Sequence, residues 1–384
     1  MTSVAVVSPS FYPMIGGIES YIQGMGKELL KLGFKIDVYT PNRVLGKACG
    51  PEEELIDGIL VHRIDVPLEL SYRVKLWPGL TGFLQRGRHG LIHVYSHDSY
   101  TFFALTAARR TGVPLAITTY GPFDTHSDHG LLRGGAFRLY DSVVTPQLMG
   151  RSAAVFVRYP DLTMWVQSLG VDPERIHLEP SGIPKEDLER CGSSVLRHSL
   201  GGGPIVLYLG RISPQKGVVY AVESMGAVTK RFPEAKLVLI GPDYLGYSKV
   251  LRARARELGV SEAVVFLDPM KDERLQLDAI SSCDAFVMPS SFEGFSQAVM
   301  KAMAQGKPVV VTNVGGLPYE VDYGKCGVLC PYGDSKSLAE SLIAVLSQED
   351  LARGIAENAM TRARSFTFDV LAARLAEQYG QLAG

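Results

Sequence analysis

Residues 284–312 read DAFVMPSSFEGFSQAVMKAMAQGKPVVVT. An apolar run, "DAFVMP", leads into a loop carrying Glu293, Gly294, Phe295 and Ser296, and a helix-period segment follows. "PVVVT" then closes the stretch as a second apolar run without polar alternation. Strands that are apolar on both faces and joined by a helix belong to a parallel sheet covered on both sides. On the predicted helix, Gln297, Lys301 and Gln305 share one face, and Val299 and Met303 share another.

The same pattern extends outward in both directions. Before residue 181 the short apolar runs are "VAVVS" (4–8), "IDVY" (36–39), "LIHVY" (91–95), "LAITT" (115–119), "AAVFV" (153–157) and "IHLEP" (176–180). After residue 204 they are "IVLYL" (205–209), "AKLVLI" (235–240), "VVFL" (264–267), "DAFVMP", "PVVVT" and "GVLC" (327–330). Helix-period stretches separate them, which predicts an α/β chain with two doubly wound parallel sheets. Both halves also begin alike, since "SPSFYPMIGGIESYIQGM" and "GRISPQKGVVYAVESM" each follow a first strand with a Gly-containing loop and a helix. Such loops lie outside the carboxyl ends of the strands, where open α/β sheets bind ligands. The Gly-, Ser- and Pro-rich segment 180–204 marks the boundary and gives domains of 1–184 and 185–364.

Composition narrows the function classes. The 384 residues are 46% hydrophobic and 21% charged, with a formal net charge of −1, which describes a soluble globular protein without global attraction to nucleic acid. The five cysteines form no CxxC pair, so reduced thiols in a cytoplasmic protein are expected and no zinc site is. No apolar run reaches the roughly 18 residues of a membrane span, and no signal-peptide pattern is expected ahead of the first strand. Only three asparagines occur, a composition that suits a heat-adapted source.

Three strand-end loops carry residues suited to a sugar or a phosphate. "YPMIGGIES" sets Gly16 and Gly17 before a helix, where backbone amides and the helix field favour an anion. "LGRISPQKG" sets Gly210, Arg211 and Lys216 at a strand end, two cations for a diphosphate whose charge grows as it leaves. "PSSFEGFSQ" offers backbone amides at a helix start beside Glu293, whose carboxylate can accept from sugar hydroxyls.

Taken in order, "YPMIGGIESYI", "LIHVYSH", "LYLGRISPQKG", "LVLIGPD", "PSSFEGFSQAVMKAMAQGKPVVVTNVGGLPYEV" and "FTFDVLAARLAEQYGQL" resemble a glycosyltransferase of family 4 (group 1) over essentially the whole chain. The resemblance implies the GT-B fold: two Rossmann-like domains facing across a cleft, with residues 365–384 crossing back onto the first. It implies a retaining transfer from a nucleotide diphosphate sugar, UDP- or GDP-linked, with no cofactor and no metal ion. By position, Gly16 and Gly17 would face the diphosphate. Arg211 and Lys216 would stabilise it as it leaves, with Gly210 beside them. Glu293 with the backbone of Gly294, Phe295 and Ser296 would hold the transferred sugar. His97, Asp98, Tyr120 and His126 become candidates for the acceptor pocket.

This chain departs from the family pattern in three places. Tyr120 stands where a His is frequent, and Ser181 and Pro184 replace the usual Asn and Asp of the boundary segment. Lys301 replaces a second glutamate that accepts from the ribose diol. An ammonium has donors only, so the lost charge-assisted contact is worth roughly 1.5–3 kcal/mol. The chain is then an active transferase with an altered ribose contact, or a non-catalytic sugar-nucleotide-binding partner of another transferase. A same-fold epimerase or phosphorylase is a further alternative. For the acceptor, Arg73, Lys75, Arg86 and Arg88 alternate with Tyr72, Trp77 and Phe83, and a second cationic stretch covers 131–151. That mixture suits a peripheral contact with the cytoplasmic face of an anionic membrane and a lipid-linked or glycan acceptor.

Overall fold

The computed structural model describes residues 2–14, 16–44, 46–69, 74–123, 131–189, 195–270 and 272–384, the side chains of 131–133 and 195 aside. It divides into two compact units, Met1–Gly182 with Phe368–Gly384, and Ile183–Thr367.

Unit 1 is built on an eight-stranded sheet. Its strands are β1 (Ser3–Val7), β2 (Lys35–Pro41), β3 (Glu53–Ile56), β4 (Ile59–Ile64), β5 (Leu91–Tyr95), β6 (Leu115–Thr119), β7 (Ala154–Val157) and β8 (Ile176–Leu178). They lie in the order β8-β7-β6-β5-β1-β2-β4-β3. Every pairing is parallel except β3 with β4. The register sets Val4 opposite Ile36 and Leu91, and Ile117 opposite Val94 and Val155, so the central strands are apolar on both faces. Helix α1 (Gly17–Lys31) covers one face through Tyr21, Ile22, Met25 and Leu29. The helices Gly79–Arg86 and Thr101–Thr111 cover the other with Leu80, Leu84, Ala104 and Leu105.

The antiparallel pair β3–β4 is an addition to the strands expected from the sequence. Its turn is Asp57-Gly58, with φ of 50° and 85° at the two residues. Two consecutive positive φ values are what a two-residue hairpin of matching twist requires.

The last helix, α5 (Phe368–Ala383), belongs to unit 1 and packs on α1. Phe368 meets Tyr21 edge-on at 6.1 Å, and the Tyr379 hydroxyl lies 2.6 Å from Nδ1 of the buried His93.

Unit 2 carries six parallel strands, β9 (Ile205–Leu209), β10 (Lys236–Ile240), β11 (Val264–Leu267), β12 (Ala285–Met288), β13 (Val309–Thr312) and β14 (Val328–Cys330). Their order is β11-β10-β9-β12-β13-β14. Both edges of the β9–β12 pair lead by crossover helices to strands on opposite sides, which makes that pair the point where the strand order reverses. Helices α2 (Val218–Arg231), α3 (Glu273–Ser282) and α4 (Gln297–Ala304) cover the sheet. Cys49, Cys283, Cys326 and Cys330 are buried free thiols, and Cys191 lies outside the described residues.

Candidate active site

The loops after β9 and β12 are held together at the reversal point of unit 2. Ser291 donates through its backbone amide to the Gln215 carbonyl at 2.9 Å and through its hydroxyl at 3.0 Å. Gly217 (φ 59°) caps α2 and leaves no space for a side chain, because a Cβ there would overlap the Pro289 carbonyl. These contacts set Lys216 Nζ 2.5 Å from Glu293 Oε1, and Ser290 Oγ donates to the same oxygen at 2.9 Å. The Glu293 carbonyl accepts from the Gly316 amide at 2.7 Å, so backbone and side chain are both fixed. The pair keeps a little solvent exposure, 18% and 10% for its side chains, which leaves it open to a competing anion or hydroxyl.

The neighbouring predicted residues fall as follows. Arg211 is exposed at the end of β9, its guanidinium 5.7 Å from the Tyr244 ring centroid. Gly210 continues the strand end by donating to the Ile240 carbonyl at 2.9 Å. Ser296 is the N-cap of α4, its Oγ accepting from the Val299 amide at 3.3 Å. The Ser296 amide, expected to be free for a sugar or phosphate oxygen, instead donates to the Glu320 carboxylate. Glu320 is fully buried, and burial pushes its carboxyl well above the ordinary carboxylate range. A buried carboxyl takes an available donor, so the amides left for a ligand are those of Gly294 and Phe295.

Lys301 also departs from expectation. Its ammonium does not face out from α4. The residue is 6% exposed, with Nζ 3.7 Å from Asp187 Oδ2 and 3.4 Å from Glu273 Oε1. Gln305, one turn on, donates to the carbonyls of Asp187 and Glu189 at 2.7 and 2.8 Å. The polar face read from the sequence exists, and it grips residues 187–189. Burial pushes the Asp187 carboxyl up to about 6, with Lys301 opposing the shift. Folded protein therefore holds a proton there that the unfolded chain releases near the ordinary carboxylate value. That contribution to stability is complete below the unfolded pKa and is lost as pH rises through about 6. Chemical denaturation of the wild type and Asp187→Asn between pH 4 and 7 should show the wild-type slope flattened in the variant. Parallel pH profiles would contradict it.

In unit 1 the predicted residues gather at the carboxyl ends of β1, β5 and β6. Gly16 caps α1, with the buried Glu19 carboxylate packed where a Gly16 side chain would stand, and Gly17 is exposed. Ser10 donates to Glu19, Lys75 Nζ to the Pro9 carbonyl at 2.8 Å, and Arg63 to the Tyr12 carbonyl at 2.8 Å. The loop before α1 is thus held by two buried cations. His97 stacks on Phe123 at 4.1 Å, with Nδ1 3.2 Å from Thr119 Oγ1 and Nε2 3.5 Å from Asp141. Asp98 is 3% exposed. The Tyr120 hydroxyl accepts from Arg158 at 3.0 Å, and burial raises its pKa. His126 lies outside the described residues.

The mixed cationic and aromatic stretch divides on folding. Trp77 and Lys75 are 0% and 1% exposed, Trp77 meeting Tyr100 edge-on and Lys75 reaching Glu69 at 3.2 Å. They therefore contribute no surface, whereas Phe83, Arg86 and Arg88 are exposed; Tyr72 and Arg73 lie outside the described residues.

Sequence reasoning missed Arg158 and Glu179, which lie side by side beneath Tyr120. Arg158 donates to the Glu179 carbonyl at 2.9 Å, and Tyr21, Tyr95 and Thr118 donate to the Glu179 carboxylate. The available signal was a charged residue immediately after each of two neighbouring strands, the buried β7 and the partly exposed β8.

Two Rossmann-like units, with the C-terminal helix belonging to the first and a strand-order reversal in the second, make up the GT-B fold. Comparison with known proteins agrees. The pattern of the family "Glycosyl transferases group 1" matches residues 198–362, and that of the "Glycosyl transferase 4-like domain" matches residues 16–182. A D-inositol 3-phosphate glycosyltransferase of Corynebacterium urealyticum is 28% identical, covering 96% of this chain and 91% of its own. One from Thermobispora bispora is 27% identical over 95% and 89%. Sucrose-phosphate synthase from Thermosynechococcus elongatus superposes with a TM-score of 0.83 at 21% identity, covering 100% and 99% of the two chains. Anabaena HepE in complex with UDP superposes at 0.79 and 20% identity, covering 99% and 100%. The chain belongs to the family 4 (group 1) glycosyltransferases and is a transferase enzyme that uses a nucleotide-sugar donor.

Proposed function

We infer that the chain moves a hexose from a nucleoside diphosphate sugar to a hydroxyl of a glycan or lipid-linked acceptor, with retention of anomeric configuration and without a metal ion. Unit 2 holds the donor and unit 1 the acceptor. The carrying observation is the Lys216–Glu293 pair at the strand-order reversal of unit 2. The donor diphosphate competes for Lys216, with Arg211 as the second cation, and the released Glu293 carboxylate accepts from sugar hydroxyls. The acceptor oxygen bonds to the anomeric carbon on the face from which the phosphate oxygen departs. The acceptor's proton passes to that oxygen, so no protein nucleophile is needed. Positive charge from Lys216 and Arg211 offsets the charge growing on the diphosphate.

UDP is the favoured nucleotide, because the superposing Anabaena HepE forms complexes with UDP and UDP-glucose. On the acceptor side, His97, Asp98 and Tyr120 offer hydroxyl-binding groups at adjacent strand ends. A lipid-linked acceptor at the cytoplasmic membrane face is supported by Phe83 and Arg86, together with exposed Phe102, Leu139 and Val143 on nearby helices. No helix among the described residues is long and apolar enough to cross a membrane.

A panel of UDP-, GDP- and ADP-sugars, each followed for nucleotide release with and without acceptors, tests this reading. UDP-sugar turnover is the expected result. Tight nucleotide binding by the folded protein with no turnover of any donor would move the chain to a non-catalytic binding role.

A further inference from the structure

The carboxyl edge of the unit 1 sheet carries a cavity apart from His97, Asp98 and Tyr120. It lies where β2 and β4 end and the antiparallel β3 begins, beside the helix Gly79–Arg86. Its volume is about 610 Å³, and Asn42, Glu52, Glu53, Arg63, Asp65 and Phe83 line it. Backbone hydrogen bonds fix its walls. The Asn42 amide donates to the Ile64 carbonyl at 2.9 Å, and the Arg63 amide donates to the Glu52 carbonyl at 2.7 Å. Two polar atoms of these walls are buried with no hydrogen-bond partner among the described residues, Arg63 Nε and Asn42 Oδ1. The Arg63 side chain is 0% exposed; its Nη1 and Nη2 donate to the Pro51 and Tyr12 carbonyls, and Nη2 pairs with Glu54, which leaves only the Nε–H. Asn42 donates from Nδ2 to Asp65 at 3.3 Å, which leaves its carbonyl oxygen.

An unpaired donor and an unpaired acceptor lining one cavity suit hydroxyls, which accept and donate at once. A phosphate would satisfy Arg63 but leave Asn42 unpaired, and Glu52, Glu53 and Asp65 would repel it. An ammonium offers Arg63 no acceptor, and no group of His, Cys, Asp or Glu among the described residues is placed to hold a metal ion. The rim carboxylates accept further hydroxyl protons, and the exposed Phe83 ring offers an apolar surface to a pyranose. We propose that this cavity is a second carbohydrate subsite, which holds an uncharged sugar of the acceptor glycan away from the sugar that receives the hexose. His97 follows β5 and Asp65 follows β4, on the same edge of the sheet because the strands from β5 to β4 are all parallel. Three strand positions separate them, about 14 Å at the usual strand spacing. That is the reach of a short oligosaccharide and not of one sugar. This inference rests on the acceptor-binding reading of unit 1.

The test is saturation-transfer NMR of the full chain with glucose, galactose, mannose, N-acetylglucosamine and trisaccharides of each, and with inorganic phosphate as the anionic control. At least one neutral trisaccharide should bind and phosphate should not compete with it. Asn42→Ala and Phe83→Ala should each weaken that binding by about three- to tenfold, the range of one hydrogen bond or one ring contact, and Phe83→Tyr should retain it. Both positions are partly or fully exposed, so the variants should fold. With a UDP-sugar as donor, the trisaccharide should be the better acceptor by kcat/KM. Asn42→Ala should remove that advantage while transfer to the monosaccharide and hydrolysis of the donor stay at wild-type rates. A residue that only braced the fold would lower all three rates together. If no neutral sugar binds, or if both alanine variants bind the trisaccharide as wild type does while donor turnover proceeds, the inference falls and the transferase reading stands. If the folded wild type turns over no donor with any of these acceptors, the acceptor reading falls and takes the inference with it.

Discussion

Replacing Lys216 with alanine is expected to lower kcat by about 10²–10³-fold while KM for the sugar nucleotide changes by less than tenfold. The expectation follows from where charge changes during the reaction. In the resting site Lys216 Nζ sits 2.5 Å from Glu293 Oε1, so its positive charge already has a partner. A ground-state diphosphate gains only the difference between that partner and itself. As the glycosidic bond breaks, the leaving oxygen acquires charge that Glu293 does not share, and the interaction with Lys216 strengthens. An interaction stronger in the transition state than in the ground state appears in kcat. Alanine also strands the Glu293 carboxylate, which keeps Ser290 as its donor and loses its cation. Lys216→Arg should recover only part of the rate, because a planar fork does not reproduce a compact ammonium in a contact this short. Steady-state kinetics on the best donor check the split. A large rise in KM at unchanged kcat would make Lys216 a binding residue and remove it from leaving-group stabilisation.

Much of this site is legible in the amino-acid sequence, because each element announces itself locally. Lys216 and Glu293 each sit in a loop bounded by a buried strand and a helix start, and continuous apolar runs such as "IVLYL" and "PVVVT" mark those strands. Their mutual distance is not legible there, since it depends on β9 and β12 being neighbours in space. The same limit applies to Lys301. Its helix face follows from spacing along the chain, but its partners come from elements distant in sequence, and only folding shows which way the ammonium turns. The hairpin β3–β4 escaped for a different reason. Its strands carry Glu53, Glu54, His62 and Arg63, so hydrophobic pattern is weak there. The Asp57-Gly58 turn was a valid local signal of the kind that outranks pattern in edge hairpins. Trp77 shows the opposite error. An aromatic among arginines suggests a membrane-facing ring, yet a large apolar side chain gains more by burial against Tyr100 than by staying at the surface.

The largest effect on stability should come from Arg158→Met. Arg158 is 1% exposed, and its guanidinium lies 4.1 Å from the Tyr21 ring centroid and 5.0 Å from that of Tyr120. It donates to the Glu179 carbonyl and the Tyr120 hydroxyl and stands 3.8 Å from the Glu179 carboxylate. Methionine keeps much of the apolar stem but removes the cation, which leaves the Glu179 side chain buried and dependent on Tyr21, Tyr95 and Thr118. Breaking a buried pair by deleting one partner costs about 3–5 kcal/mol, because the remaining charge stays desolvated. The double variant Arg158→Met/Glu179→Gln should therefore be more stable than Arg158→Met alone, since it removes the stranded charge while the glutamine oxygen still accepts from the Tyr21 and Tyr95 hydroxyls and its amide donates to the Thr118 oxygen. Urea unfolding of wild type, both single variants and the double variant closes the cycle. Strict additivity would show that Arg158 and Glu179 do not stabilise one another. Because Tyr120 loses its donor at the same time, wild-type acceptor preference in a folded Arg158→Met protein would place Tyr120 outside the acceptor pocket. Altered acceptor KM with donor hydrolysis unchanged would tie the buried pair to the acceptor loop, through the phenol it holds at the end of β6.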